Sequence, residues 1–131
     1  MDIVVRDIDN IILLNRFDAF KSISSNGYSF YTTDFVLTAY CLDGELPEIF
    51  NSGNVKIRTF TPSETLSVNL FYKKYKSSLS IADCSVIFFA SVSGSTLITN
   101  QQILAEKAKE NNVTVECFAW IQNLLLLKKT A

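Results

Sequence analysis

Asp83 is the only charged residue between Leu79 and Leu104, in the run LSIADCSVIFFASVSGSTLITNQQIL. A carboxylate in so apolar a stretch must be hydrogen-bonded, paired or bound to a cation, because burying it bare costs several kcal/mol or shifts its pKa. Ser80 three residues ahead of it fits a capping box, which places the carboxylate in the positive first turn of a helix. That spacing leaves open whether Asp83 only caps its own helix or also serves a site. Two further positions could join it. Ile3, Val4 and Val5 form an apolar run ending at Arg6-Asp7-Ile8-Asp9, as a central parallel strand reaching a functional edge would. Ser95 to Ile98 reads as a short buried strand closed by Thr99, after which Asn100 and Gln101 lead into a helix to about Glu110, with Thr99 and Gln102 as its cap.

The inventory of side chains narrows the chemistry. The chain has no His for a Ser-His or Cys-His nucleophile, and its four glycines are not grouped as a phosphate-binding loop. Hydrolysis through a carboxylate-held metal remains open, since Mg²⁺ and Mn²⁺ take oxygen ligands and must also present an activated water. Tyr72-Lys73-Lys74-Tyr75-Lys76 interleaves cations with aromatics, a pattern that either holds phosphates and stacks an exposed base or forms a solvated helix face.

Positioning these groups requires alternating elements. Ile11, Ile12, Leu14, Phe17 and Phe20 recur at helical spacing up to Ser24-Ser25-Asn26-Gly27. Tyr28 to Tyr31 reads as a second strand, and Thr33-Asp34 starts a helix ending near Asp43-Gly44. Val55 to Phe60 is a third strand, followed by Thr61-Pro62-Ser63-Glu64, a helix start with Pro near its first position. Val113 to Cys117 alternates like a strand, and Phe118 to Leu127 closes the chain as an amphipathic helix. The expected fold class is α/β, three layers with a mostly parallel central sheet of about four or five strands and helices on both faces. Asp7 and Thr99 then lie at carboxyl ends of strands, where sites in such sheets converge, with Asp83 on the helix between them.

The wording of the central stretch goes beyond two caps. LSIADCSVIFFASVSGSTLITNQQILAEKAKENNVTVE resembles the second half of a PIN domain, the fold of many metal-dependent ribonucleases, in which a leucine-serine phrase leads to a helix-borne Asp. A small-residue turn, an apolar strand ending in Thr and a helix then follow in the same order. The resemblance implies Asp7 and Asp83 as catalytic and metal-ligating acids, with Asp9, Asp34 and Asp43 as further candidate ligands. It also implies Mg²⁺ or Mn²⁺ as cofactor, RNA as substrate class, and a small antitoxin as partner, after the toxin ribonucleases of bacterial toxin-antitoxin pairs. Two of the pattern's four acid positions depart from it. The second-helix acid falls near Ala39 or Tyr40, and the acid after Thr99 is replaced by Asn100 or Gln101. With two acids in place of four, the expectation is metal held weakly or not at all, and catalysis weakened or lost. Thr99, Asn100 and Gln101 with Lys73, Lys74 and Lys76 are the candidate nucleic-acid contacts. The alternatives are a non-catalytic nucleic-acid-binding or protein-interaction module on the same fold, and an unrelated doubly wound domain whose two caps imitate the motif.

Composition bounds the rest. With 131 residues, 48% hydrophobic and 19% charged, residues 1–131 are expected to form one PIN-like domain around one core. A net charge of -1 argues against non-specific coating of nucleic acid, while leaving room for a local basic patch. Cys41, Cys84 and Cys117 are widely separated and suit a reducing cytoplasm rather than a disulfide or zinc framework. No stretch approaches the roughly 20 apolar residues of a membrane span. Trp120, Ile121 and Leu124 to Leu127 are more apolar groups than one helix stripe can bury, which predicts a homo-oligomer or a partner peptide there.

Overall fold

The computed structural model describes residues 1–16, 23, 27–39 and 55–130, with side chains up to 124. Strands and helices alternate along it: β1 (Asp2–Val5), α1 (Ile8–Arg16), β2 (Ser29–Thr33), α2 (Asp34–Ala39), β3 (Val55–Arg58), α3 (Pro62–Tyr75), α4 (Ile81–Ser93), β4 (Thr96–Ile98), α5 (Gln102–Glu110), β5 (Thr114–Glu116) and α6 (Phe118–Thr130). All five strands are parallel, in the order β3-β2-β1-β4-β5. The sheet therefore grows outward from β1 in both directions, with crossover helices covering both of its faces. This is the expected three-layer α/β/α architecture.

Burial explains the centre of the sheet. Ile3, Val4 and Val5 are fully buried, as are Leu97 and Ile98, which is how parallel strands covered on both faces must read. Across the sheet lies α4, touching β1, β2 and β4 and packing against α2 and α3. Cys84, Val86, Ile87, Phe89 and Ala90 along it are buried, and a helix apolar nearly all round has no other stable place. Its ends are set locally. Ser80 and Asp83 form the expected capping box, and Gly94, at φ 68°, turns the chain out while Ser95 N–H reaches back to the Ala90 carbonyl. No helix among the described residues is long and apolar enough to cross a membrane.

Several boundaries moved for physical reasons. The third strand stops at Arg58 rather than Phe60, because Thr61 caps α3 and Pro62 cannot donate to a ladder. The second runs on to Thr33, in register with Arg58 of β3. The predicted cap on α5 is not formed: Gln101 is its N-cap with no side-chain cap bond, since Thr99 is drawn into another contact described below. In the closing helix Ile121 is buried and Trp120 meets Tyr28 edge to face at 6.1 Å, whereas the expected interface at Leu124 to Leu127 falls largely outside the described side chains.

Candidate functional site at the carboxyl edge of the sheet

β1 is the point where the sheet's growth reverses, so the chain leaves it with β2 on one side and β4 on the other, opening a crevice beyond their carboxyl ends. Register decides what faces what there. Val5 lies opposite Ile98, and the Arg6 N–H donates to the Ile98 carbonyl at 3.3 Å, so Arg6 and Asp7 emerge beside Thr99.

Asp7 reaches across this crevice. Thr99 Oγ1 donates to its Oδ2 at 3.2 Å, the Asn100 N–H to the same oxygen at 2.9 Å, and Gln101 Nε2 to its Oδ1 at 2.7 Å. Its own backbone carbonyl meanwhile accepts from Asn10 N–H and so starts α1. The turn after β4 is thus folded around the Asp7 carboxylate by neutral donors. Gln101 N–H closes back on Thr99 Oγ1 at 3.1 Å, and Asn100 Oδ1 accepts from Phe118 N–H at 3.0 Å, tying the start of α6 to the same turn.

Asp83 is anchored differently. Both the residue and its partner are buried, Asp83 being 6% and Arg6 7% exposed. Arg6 Nε–H donates to Asp83 Oδ1 at 2.6 Å, a charge-assisted bond, while Oδ2 accepts the Ser80 N–H at 2.9 Å. Asp83 N–H in turn donates to Ser80 Oγ at 3.1 Å. One carboxylate therefore caps its helix and neutralises a guanidinium from the neighbouring strand. Next to it, burial first and the Asp83 charge second push the Cys84 thiol up to about 11. The next residue of α4, Ser85, shares a 2.7 Å hydrogen bond with Thr33, whose Oγ1 also accepts Val36 N–H and so caps α2.

Arg6 is the residue at this edge that spacing did not single out. The signal was present, since Asp83 required a partner and Arg6 is a cation at the end of an apolar strand. The two are 77 positions apart, and only the sheet brings them together.

The remaining candidates are spread out. Asp9 is exposed in the first turn of α1, and Asp34, at the start of α2, is half-buried with a buried Oδ1 that meets no donor. Asp43 lies outside the described residues. Lys73 and Lys74 are exposed in the last turn of α3 and Lys76 follows it as the C-cap. The interleaved aromatics part company: Tyr75 is only 7% exposed, with its hydroxyl accepting from Asn111 Nδ2 and the Lys74 and Lys107 ammoniums 5.1 and 5.9 Å from its ring. Tyr75 therefore cannot stack a base, and Tyr72 alone of the pair keeps part of its ring in solvent.

A divalent ion needs a cluster of oxygen ligands with free lone pairs. Here each oxygen of Asp7 and Asp83 already accepts an N–H or O–H, and Asp83 also faces the Arg6 guanidinium, so a cation would have to share those oxygens with protein donors and meet a positive charge. Among the described residues no group of three or more His, Cys, Asp or Glu is placed to hold a metal. As arranged, these side chains do not fit one.

Neither a family model nor a curated relative matches the sequence. Solved structures do. The chain is similar to the crystal structure of PAE2754 from Pyrobaculum aerophilum, with a TM-score of 0.62 and 15% identity over 100% of both chains. It is also similar to VapBC2 from Rickettsia felis, crystallised bound to a DNA fragment from their promoter, with a TM-score of 0.58 and 12% identity over 89% of this chain and 98% of that one. At such identities the likeness is one of fold, and the fold is PIN-like.

Proposed function

We propose that the chain is a PIN-like domain of the toxin type found in toxin-antitoxin pairs, in which the Mg²⁺- or Mn²⁺-dependent ribonuclease chemistry of that fold is weakened or lost. One observation carries this: the two acids expected to hold metal, Asp7 and Asp83, sit at the carboxyl edge with their oxygens engaged by protein donors. The same observation favours a second reading, a non-catalytic nucleic-acid-binding or protein-interaction module on this fold. In both readings Thr99, Asn100 and Gln101 rim the crevice that an RNA or DNA strand would enter. Lys73, Lys74 and Lys76 supply phosphate contacts from α3. A small antitoxin-like protein or a second copy of the chain is the protein partner, and the cytoplasm its place.

Purified protein incubated with single-stranded RNA and Mn²⁺ tests this directly. Little or no cleavage is expected, with RNA retained in an anisotropy assay and released as salt is raised. Brisk Mn²⁺-dependent cleavage that disappears in Asp83→Asn would overturn it. Sedimentation of the isolated chain at high concentration tests self-association, which a strict monomer would exclude.

A further inference from the structure

We propose that the Arg6 guanidinium is a built-in cation, holding at Asp83 the place that a divalent ion would take, so that the crevice is organised without metal. This deepens the reading above and rests on it, since it explains how a PIN-like crevice keeps Asp83 beside Asp7 after losing the other two acids. Three features support it. First, Arg6 leaves β1 with its backbone N–H already fixed to Ile98, so its side chain starts from a rigid point at the carboxyl edge of the sheet's central strand. Second, the pair is buried on both sides, and an uncompensated Asp83 would be costly there, so some cation must be supplied, and Arg6 supplies it covalently at every moment. Third, both Asp83 oxygens are used, one by the guanidinium and one by Ser80 N–H. An arriving ion would have to share an oxygen with one of these donors and sit beside a positive charge in a weakly screened setting.

The neutral residues around Asp7 are consistent with the same substitution. An acid at Gln101 would face Asp7 across the contact where Gln101 Nε2 now donates at 2.7 Å, and two carboxylates there would need a cation between them. The amide removes that need. Asp7 is thereby satisfied by a folded turn and Asp83 by the residue that follows β1, and neither is left requiring an ion.

The test uses Mn²⁺ alone, with no RNA, so its outcome is separable from that of the cleavage and binding assays. In the wild-type protein the Arg6 Nε–H resonance, identified by its loss in Arg6→Lys, should be protected from solvent exchange and keep its width as Mn²⁺ is added in excess. Selective paramagnetic broadening of that resonance would overturn the proposal. In the second arm, Arg6→Gln combined with Gln101→Asp should gain saturable Mn²⁺ binding, read as loss of the free-ion electron paramagnetic resonance signal and a metal-dependent rise in Tm. A folded double variant without such binding would also overturn it. Should that variant fail to fold, the wild-type resonance decides alone.

Discussion

Asp83 shows how one side chain can answer two demands at once. Its oxygens serve a helix start and a guanidinium, so removing it opens half of the α4 capping box, which Ser80 still caps, and takes the carboxylate from the buried Arg6. Breaking a buried pair by deleting one partner typically costs ~3–5 kcal/mol, and Asp83→Ala is expected in that range by urea unfolding. Arg6→Leu should cost a similar amount. The double variant should lose less than the sum of the two, because each single change already removes the same Arg6–Asp83 contact, and strict additivity in the cycle would show that the pair does not interact. Cys84 offers a second check. With its thiol raised to about 11, it stays protonated at neutral pH, so a thiol reagent should label exposed Cys117 and leave Cys84 untouched until the protein unfolds. Because the folded thiol holds its proton more tightly than the unfolded one, its contribution to stability is complete below pH 9.0 and disappears as pH rises toward about 11. Native-state labelling of Cys84 as fast as Cys117 at neutral pH would contradict this.

The helices owe their ends to short signals whose energies can be tested singly. α3 begins in a capping box, Glu64 N–H donating to Thr61 Oγ1 and Thr61 N–H to Glu64 Oε1. The Thr61 backbone bond holds the Glu64 carboxyl below its ordinary value; burial opposes it as the next effect in size, and Arg58 adds a smaller lowering. A carboxyl lowered in this way stabilises the fold above its unfolded pKa, and that support is lost as pH falls through the lower folded value. Thr61→Ala should cost ~1 kcal/mol in chemical unfolding, whereas the acid-sensitive part rests on the Thr61 backbone N–H, so it should survive that change and be lost in Glu64→Gln. At the other end of α4, Gly94 sits at φ 68° with no heavy atom within 4 Å of where a Cβ would stand. Any cost of Gly94→Ala is therefore backbone strain alone, ~1 kcal/mol, and Gly94→Asn should recover part of it. An unchanged midpoint for Gly94→Ala would mean that the chain leaves α4 by another route.

The molecule as a whole is a sheet that diverges from β1, and its crevice is placed by that topology rather than by any one motif. Such a fold hosts many chemistries, so the similarity in fold to PAE2754 and VapBC2 does not by itself assign one. What separates binding from catalysis is a change that leaves the fold untouched. Replacing Lys73, Lys74 and Lys76 together by Glu alters exposed positions at the end of α3 and should shift stability by no more than ~0.5 kcal/mol per site. RNA affinity should nevertheless fall, and its salt dependence should become shallower as phosphate contacts are lost. An unchanged affinity and salt slope would move the nucleic-acid surface elsewhere or remove it.

The alternation of strands and helices, the buried nature of α4 and the Ser80–Asp83 cap could be read from spacing, because each depends on residues within one or two turns of each other. So could the placement of Asp7 and Thr99 at strand ends, since apolar runs that stop at polar residues mark where a parallel strand leaves the core. What local spacing could not reveal is which donor each acid would take. Asp83 turned to Arg6, 77 residues away, and Asp7 to the turn at Thr99 to Gln101, 92 to 94 residues away. Those choices follow from the β1–β4 register, in which a shift of one residue would have carried Arg6 and Asp7 to opposite sides. The same packing buried Tyr75 between α3 and α5 and left Thr99 contacting Asp7 instead of capping its own helix, because a side chain takes the partner that the assembled sheet brings within reach.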